Sequence, residues 1–409
     1  MTVGLDTNCM TVGLDNCLSR LCPGGPAESL ACICILAVSM LKSVSGGIDV
    51  GTRSETAEFT LEGSTLGITC GGAFVPCSLN ALLSNSAGIP GSTLRRLRRA
   101  GAITVNGHIP LPDVELVPGT TVLVDLSAAE QPSDLPPDAP LPEIVYEDGL
   151  LIAVNKPPLT VVHPTCFHQS GTSAAGIARY YRDNNIRAGI HFVNRLDLGT
   201  SGLLLAAKCG FMQEYMRRQA EAGRYSKTYL GICERAENGP GDPELAREGA
   251  RMTVDAPISR DLSSIILRKI DPDGKRAVTE VTVLAVSGDR RKILAAFSLL
   301  TGRTHQIRVH MSYKGWPLSG DTLYGAGAVP RTARLTPDEA EAEAKKPGSG
   351  VHQLLHAWSA GYIQPFTGEK KRITCPVPQE FIQEFPEAFD TSGELAGAPL
   401  SVLSAASAP

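Results

Sequence analysis

From about Phe59 onward, apolar and polar positions fall into short periodic runs, and before it they do not. Residues 74–84 (FVPCSLNALLS) read as a strand edge leading into a helix. Ser92 has the residue type and place of an N-cap for a helix over 93–100, which Gly101 ends. Residues 103–105, the Asn106-Gly107 hairpin signal, a short strand at 108–110 and a strand at 121–126 after Pro118-Gly119 complete a small α/β unit. Residues 127–142 (SAAEQPSDLPPDAPLP) hold five prolines and almost no large apolar side chain, the composition of an extended linker. Beyond it, strand patterns at 150–154, 203–207, 279–285 and 293–299 alternate with a few helices, one of them over 211–222 and ended by Gly223. This order is neither regular βαβ nor all-β. It predicts an α+β fold with a mixed, largely antiparallel sheet, preceded by the small α/β domain. The expected division is a poorly structured extension at 1–58, the small domain at 59–126, the linker at 127–143, the main domain at 144–388 and a disordered tail at 389–409, with 335–350 as a surface insertion.

Composition narrows this picture without deciding it. The chain has 409 residues, 43% hydrophobic and 20% charged, as ordinary soluble proteins do. A formal net charge of −4 means that any nucleic-acid surface must be a local patch. Seven of the eleven cysteines lie before residue 78, with no CxxC pair and no histidine cluster at ligand spacing, so no metal site is expected. The apolar stretch 30–41 (LACICILAVSML) has 12 residues, against the roughly 20 needed to span a bilayer. The near-duplicate MTVGLD at residues 1–6 and 10–15 is too short for a solenoid repeat and is assigned no function. A cytoplasmic, monomeric protein without a membrane partner is the expectation.

Two segments carry chemistry. In 92–101 (STLRRLRRAG), Leu94 and Leu97 can face a core together, leaving Arg95, Arg98 and Arg99 on another face with Arg96 beside Arg99. Arginines at this density, with no acid nearby in sequence, suit phosphate recognition, although such a run also occurs as a plain solvated face. The helix–Gly–strand–VNG order over about 75–126, above all RRAGAITVNG, resembles the alpha-L-type RNA-binding domain of certain ribosomal proteins and RNA-modifying enzymes. In 191–208 (HFVNRLDLGTSGLLLAAK), a polar loop with Arg195 and Asp197 meets small residues and then a strongly apolar strand. Such a design sets a carboxylate at the mouth of a rigid sheet, where the Thr200 and Ser201 hydroxyls can fix the loop. Taken alone, Asp197 also fits a turn or helix-cap aspartate.

Three segments together, namely this loop, 225–230 (YSKTYL) and 300–311 (LTGRTHQIRVHM), resemble the three motifs of the RluA-type RNA pseudouridine synthases. The runs 315–325 (GWPLSGDTLYG), 355–358 (LHAW) and 146–164 fit the same family, so the resemblance spans about 144–382. Asn194 stands where many members have histidine. The resemblance implies isomerisation of uridine to pseudouridine in RNA, ribosomal RNA ahead of transfer RNA, on a flipped-out base. That reaction involves no net redox change or hydrolysis, so no cofactor or metal is implied. By the same resemblance Asp197 is the nucleophilic carboxylate and Tyr229 stacks on the uracil and takes the C5 proton. Arg308 pairs with Asp197, Arg195 fills the place of the flipped nucleotide or holds its phosphate, and Ile307 lines a dry floor. Lys227 is expected to bind substrate, Lys156 to contact phosphate, and Arg95, Arg96, Arg98 and Arg99 to bind RNA. His305 and His310 read as hydrogen-bonded scaffold. The alternative is a non-catalytic RNA-binding protein. A glycoside-type hydrolase needs two carboxylates flanking the bond, and the loop offers one. A zinc base deaminase lacks its HxE and PCxxC elements.

Overall fold

The computed structural model describes residues 56–112, 114–136, 138–165, 170–236, 241–264, 266–325 and 352–396. The duplicated start, the apolar stretch at 30–41, the insertion at 335–350 and the last thirteen residues lie outside the described residues.

The described residues open on a hairpin of β1 (Ala57–Glu62) and β2 (Thr65–Cys70) that turns at Gly63. Sequence pattern placed the regular chain only from Phe59, because β1 (AEFTLE) has no fully buried position to advertise it. Short strands β3 (Cys77–Ser78) and β5 (Glu115–Leu116) pair with each other, while β4 (Ile103–Val105) and β6 (Thr121–Asp125) join the hairpin in a β1-β2-β6-β4 sheet. Helix α1 (Gly91–Arg99) buries Leu94 and Leu97. It starts before the expected cap: Pro90 is the N-cap, its carbonyl accepts the Leu94 N–H at 3.0 Å, and Ser92 sits inside the first turn. Its end is a Schellman turn, with Gly101 at φ +66° and the Ala102 N–H on the Leu97 carbonyl at 2.9 Å. Asn106 and Gly107 both have positive φ, as a tight hairpin turn requires. The strand expected at 108–110 shrinks to a single bridge between Val105 and His108, since Pro110 and Pro112 remove ladder donors.

The proline-rich segment is laid against the main domain. Arg179, Arg182 and Arg187 donate to the carbonyls of Ala139, Leu135 and Ala128 at 3.2, 3.1 and 3.1 Å. Glu130 is buried: its carboxylate meets Arg96 at 3.4 Å, His191 at 2.8 Å and the Gly210 N–H at 3.1 Å. Burial would raise its pKa, but the hydrogen bonds from His191 and Gly210 hold it below the ordinary value. An apolar-poor stretch still orders here, because arginines satisfy carbonyls that its prolines cannot engage in a sheet.

The main domain carries β7 (Glu143–Glu147), β8 (Leu151–Lys156), helix α2 (Ser173–Asp183), β9 (His191–Phe192), β10 (Ser201–Ala207), helix α3 (Gly210–Glu221) and β11 (Ser226–Glu234). It continues with β12 (Arg251–Asp255), the small hairpin β13 (Ile258–Arg260) and β14 (Arg268–Ile270), then β15 (Val278–Val286) and β16 (Lys292–Leu299). Helix α4 (Gln306–Tyr313), β17 (Leu355–Ile363), β18 (Lys370–Thr374) and helix α5 (Gln379–Glu384) follow. The central sheet runs β12-β15-β16-β11-β17-β10-β8-β7, with β9 on β10 and β18 on β17. Every pair in it is antiparallel except β10 with β17, so the fold is the mixed, largely antiparallel α+β architecture expected.

Successive residues of β11 feed opposite cores, as strand geometry demands. Tyr229 and Cys233 face the main core, whereas Leu230 and Ile232 pack with Trp358, Phe381, Phe385 and Phe389. Phe389 is buried and Phe389 bridges Leu395, so the packed chain runs past residue 388. All seven residues of β10 are buried. At its head Gly202 has φ +100°, and a Cβ there would stand 2.3 Å from the Ala357 carbonyl oxygen. Only glycine permits the β10–β17 contact that ends the loop carrying Asp197.

Candidate active site

The loop between β9 and β10 is held at each step by side-chain-to-backbone bonds. Asn194 donates to the Leu203 carbonyl at 2.9 Å and accepts the Leu205 N–H at 2.8 Å, extending the β-ladder by one amide side chain. This gives the Asn194 side chain a structural task. Leu196 is buried, Arg195 is exposed, and Asp197 is half-buried between them and the turn closed by the Thr200 N–H on the Asp197 carbonyl at 3.1 Å. Gln353 donates to the Thr200 hydroxyl at 3.1 Å, and the Ser201 hydroxyl pairs with His356 Nδ1 at 2.9 Å, so both hydroxyls do fix the loop.

Lys156, expected to contact phosphate, points instead into the protein. It is 1% exposed, and its ammonium donates to the carbonyls of Pro157, Thr160 and Leu198 at 2.9, 2.9 and 3.1 Å. All three of its protons are used to staple the residue after Asp197 to the end of β8. Burial pushes its pKa down to about 7, opposed by the Asp197 carboxylate.

Helix α4 brings in the cation. Arg308 is buried and meets Asp321 with two parallel bonds, Nε at 2.7 Å and Nη2 at 2.8 Å, leaving Nη1 at 3.4 Å from Asp197 Oδ2. The pairing with Asp197 is therefore present but secondary; the principal partner is a carboxylate that the motif reading did not single out. Burial would raise the Asp321 pKa, but the Arg308 hydrogen bond and charge hold it below the ordinary value. Gln306 orients the helix start, donating to the Val278 carbonyl and the Thr279 hydroxyl, both at 2.9 Å. His310 is scaffold as expected, between Thr279 and the Ala256 carbonyl. Arg303 is exposed and donates to the Arg276 carbonyl at 3.0 Å.

Tyr229 arrives on β11. Its pKa is raised, first by burial and then by the Asp197 charge. Ile307 is buried in the main core. Lys227 lies over the Tyr225 ring at 5.8 Å with its pKa lowered by burial. His163, which packs edge-on against Phe192 at 4.6 Å, feels the charge of Arg195. Both contacts to Asp197, from Arg308 and from His305 Nε2 at 3.8 Å, fall on Oδ2. Among the described residues none reaches Oδ1.

On the small domain the four arginines divide. Arg96 donates to the Ala129 carbonyl at 3.1 Å besides pairing with Glu130, and Arg98 donates to Asn80 at 2.7 Å and to the Pro112 carbonyl at 3.2 Å. The helix is thus not free of acid, because Glu130 comes from outside the local sequence. Arg95 and Arg99 remain exposed.

Residues 150–313, which contain Asp197, Tyr229 and Arg308, match the family model described as RNA pseudouridylate synthase. The chain is 36% identical over 282 residues to the uncharacterized RNA pseudouridine synthase YjbO of Bacillus subtilis, covering 68% of this chain and 88% of that protein. The chain belongs to the RluA-type RNA pseudouridine synthases. A second relative of this synthase is the ribosomal large subunit pseudouridine synthase D of Vibrio parahaemolyticus, 34% identical over 295 residues and covering 71% and 84% of the two chains. Among solved structures, human RNA pseudouridylate synthase domain containing 4 is 21% identical with a TM-score of 0.44, covering 60% of the synthase and 92% of that chain. Members of the family are isomerases that act on uridine in RNA. Among the described residues of this synthase no helix is long and apolar enough to cross a membrane.

Proposed function

We propose that this synthase converts specific uridines of ribosomal RNA to pseudouridine, with Asp197 as nucleophile and the target base flipped out of its helix. The observation that carries the reading is the Arg308 guanidinium of α4, more than one hundred residues on, at 3.4 Å from the Asp197 carboxylate, with Tyr229 of β11, more than thirty residues on, within reach of its charge. The Arg308 guanidinium, 3.4 Å from Asp197 Oδ2, is a charge partner that aims the carboxylate, as a nucleophile requires. With Oδ2 engaged by Arg308, Oδ1 is the oxygen directed to the substrate. Asp197 Oδ1 bonds to C1′ as the N1–C1′ bond breaks and the uracil leaves with the bonding pair; the uracil turns, C5 bonds to C1′ as the Asp197–C1′ bond breaks, and the C5 proton leaves as N1 gains one, so no other reactant is consumed.

Tyr229 supplies the face on which the uracil stacks. Its raised pKa keeps the phenol protonated, which favours this role over removal of the C5 proton. Arg195, exposed at the loop tip, takes the place of the flipped nucleotide. Ile307 closes the floor, and Lys227 meets the nucleotide phosphate. Arg95 and Arg99 grip the RNA backbone from the small domain. Ribosomal RNA as substrate is supported by the name of the Vibrio relative and by the basic helix. The test is pseudouridine mapping in ribosomal and transfer RNA from cells lacking the protein and re-supplied with wild type or Asp197→Asn. Ribosomal sites lost on deletion and restored by wild type alone are expected. Sites unchanged by deletion, or restored by the variant, would contradict the reading.

A further inference from the structure

The roles above leave two half-buried polar side chains unused, His305 beside Asp197 and Tyr324 beside His305. His305 holds a left-handed conformation, φ 58°, at the start of α4, which turns its ring toward the β9–β10 loop. Its Nε2 lies 3.8 Å from Asp197 Oδ2, and its Nδ1 lies 2.9 Å from the Tyr324 hydroxyl. That hydroxyl already accepts the backbone N–H of Arg268 at 2.9 Å. The phenolic proton is then free to be donated, and among the described residues His305 Nδ1 is its one acceptor. A neutral imidazole that accepts at Nδ1 carries its proton on Nε2, the nitrogen facing Asp197.

We propose that His305 is a positioning residue for Asp197, locked by Tyr324 in the Nε2–H tautomer so that its N–H is offered to carboxylate oxygen Oδ2. The role rests on the assignment of Asp197 as nucleophile. Burial pushes His305 down to about 4 and Tyr324 up to about 12, so neither changes charge near neutrality. A neutral donor can orient the carboxylate without adding a second full charge beside Arg308 that would weaken it as a nucleophile. The separation of 3.8 Å is too long for a hydrogen bond in the free protein; catalytic contacts of this kind commonly tighten when substrate binds. Tyr324 belongs to the same frame, since the Arg308 guanidinium lies 5.1 Å over its ring and its backbone N–H donates to Asp321 at 3.1 Å.

The experiment has two arms. Isotope-labelled histidine NMR of the wild-type protein, without RNA, reads the tautomer directly: Nδ1 bare and Nε2 protonated is expected. A protonated Nδ1 would overturn the proposal even if every variant failed to fold. Single-turnover isomerisation and RNA affinity are then measured for Tyr324→Phe, His305→Gln and His305→Phe. His305→Gln keeps an N–H near the position of Nε2 and is expected to retain most of the rate. His305→Phe and Tyr324→Phe should each lose about tenfold with unchanged RNA affinity, the size of one hydrogen bond to a charged group. Equal losses for Gln and Phe, or no loss in Tyr324→Phe, would refute the positioning role. Turnover that survives Asp197→Asn would sink the nucleophile assignment and this role with it. The tautomer measurement, which needs no turnover, tells that failure from a failure of the lock.

Discussion

Replacing Asp321 by asparagine removes one charge from a buried pair while leaving the side-chain shape nearly unchanged. In the wild type, Arg308 is buried and held by two parallel bonds of 2.7 and 2.8 Å to an Asp321 side chain with no exposure. The amide keeps one acceptor but turns an N–H2 group toward a guanidinium nitrogen, so one charge-assisted bond is lost and a donor faces a donor. Breaking a buried ion pair from one side costs about 3–5 kcal/mol. The lower end applies, because Asp197 at 3.4 Å still compensates Arg308; the expected loss is about 3 kcal/mol. That corresponds to roughly 6–12 °C in Tm for a domain of this size. Arg308, released from Asp321, turns toward Asp197 and binds both of its oxygens more tightly, so single-turnover isomerisation should slow about tenfold with RNA affinity unchanged. The sign of the pH dependence is fixed as well. Although burial would raise it, the folded pKa of Asp321 is lowered by Arg308. The pair's contribution is present above the unfolded carboxylate pKa and is lost as pH falls through the lowered value. Urea unfolding of wild type and variant should differ at neutral pH and converge at acid pH. A difference under about 0.5 kcal/mol, together with unchanged turnover, would refute this account of Arg308.

Lys156→Met should destabilise the protein by about 2–4 kcal/mol, since three carbonyls lose their buried ammonium donor, with a fall in turnover because Leu198 adjoins Asp197; thermal unfolding within about 1 °C of wild type would contradict it. Gly202→Ala should cost more than 3 kcal/mol on the order-of-magnitude scale for strain at a positive φ plus a backbone clash, read as insoluble or thermally labile protein; a well-folded, active variant would show that β17 can yield. Arg95→Gln with Arg99→Gln should reduce the slope of log affinity against log salt by about 2, whereas Arg96→Gln and Arg98→Gln, already engaged within the protein, should change it less. Equal slopes for the two double variants would overturn that division.

The motif residues Asp197, Tyr229 and Arg308 were legible because each sits in a run whose residue order is distinctive. The strands around them were legible too: residues 203–207 of β10 and 293–297 of β16 are unbroken apolar runs, and a pattern of that kind survives in one dimension. What escaped were groups defined by a partner distant in sequence. Asp321 lies in a Ser-Gly-Asp turn that reads as an ordinary loop acid; nothing local indicates that it is buried against Arg308. Lys156 and His305 resembled a surface cation and a core histidine, and only the carbonyls and hydroxyl that meet them show otherwise. Glu130 was hidden for the opposite reason. In a proline-rich, apolar-poor segment an acid is expected to be solvated, yet three donors from separate elements bury it. The Ser92 cap failed because Pro90, two residues earlier, already set the extended geometry that starts a helix.

The central claim is that the Asp197 carboxylate performs the chemistry on an RNA that the rest of the surface binds. Single-turnover conversion of uridine to pseudouridine by purified Asp197→Asn, with RNA affinity measured in parallel, tests it most directly. No detectable pseudouridine is expected, with affinity within about threefold of wild type, a difference of under about 1 kcal/mol. Isomerisation by the variant at a rate near that of wild type would contradict it.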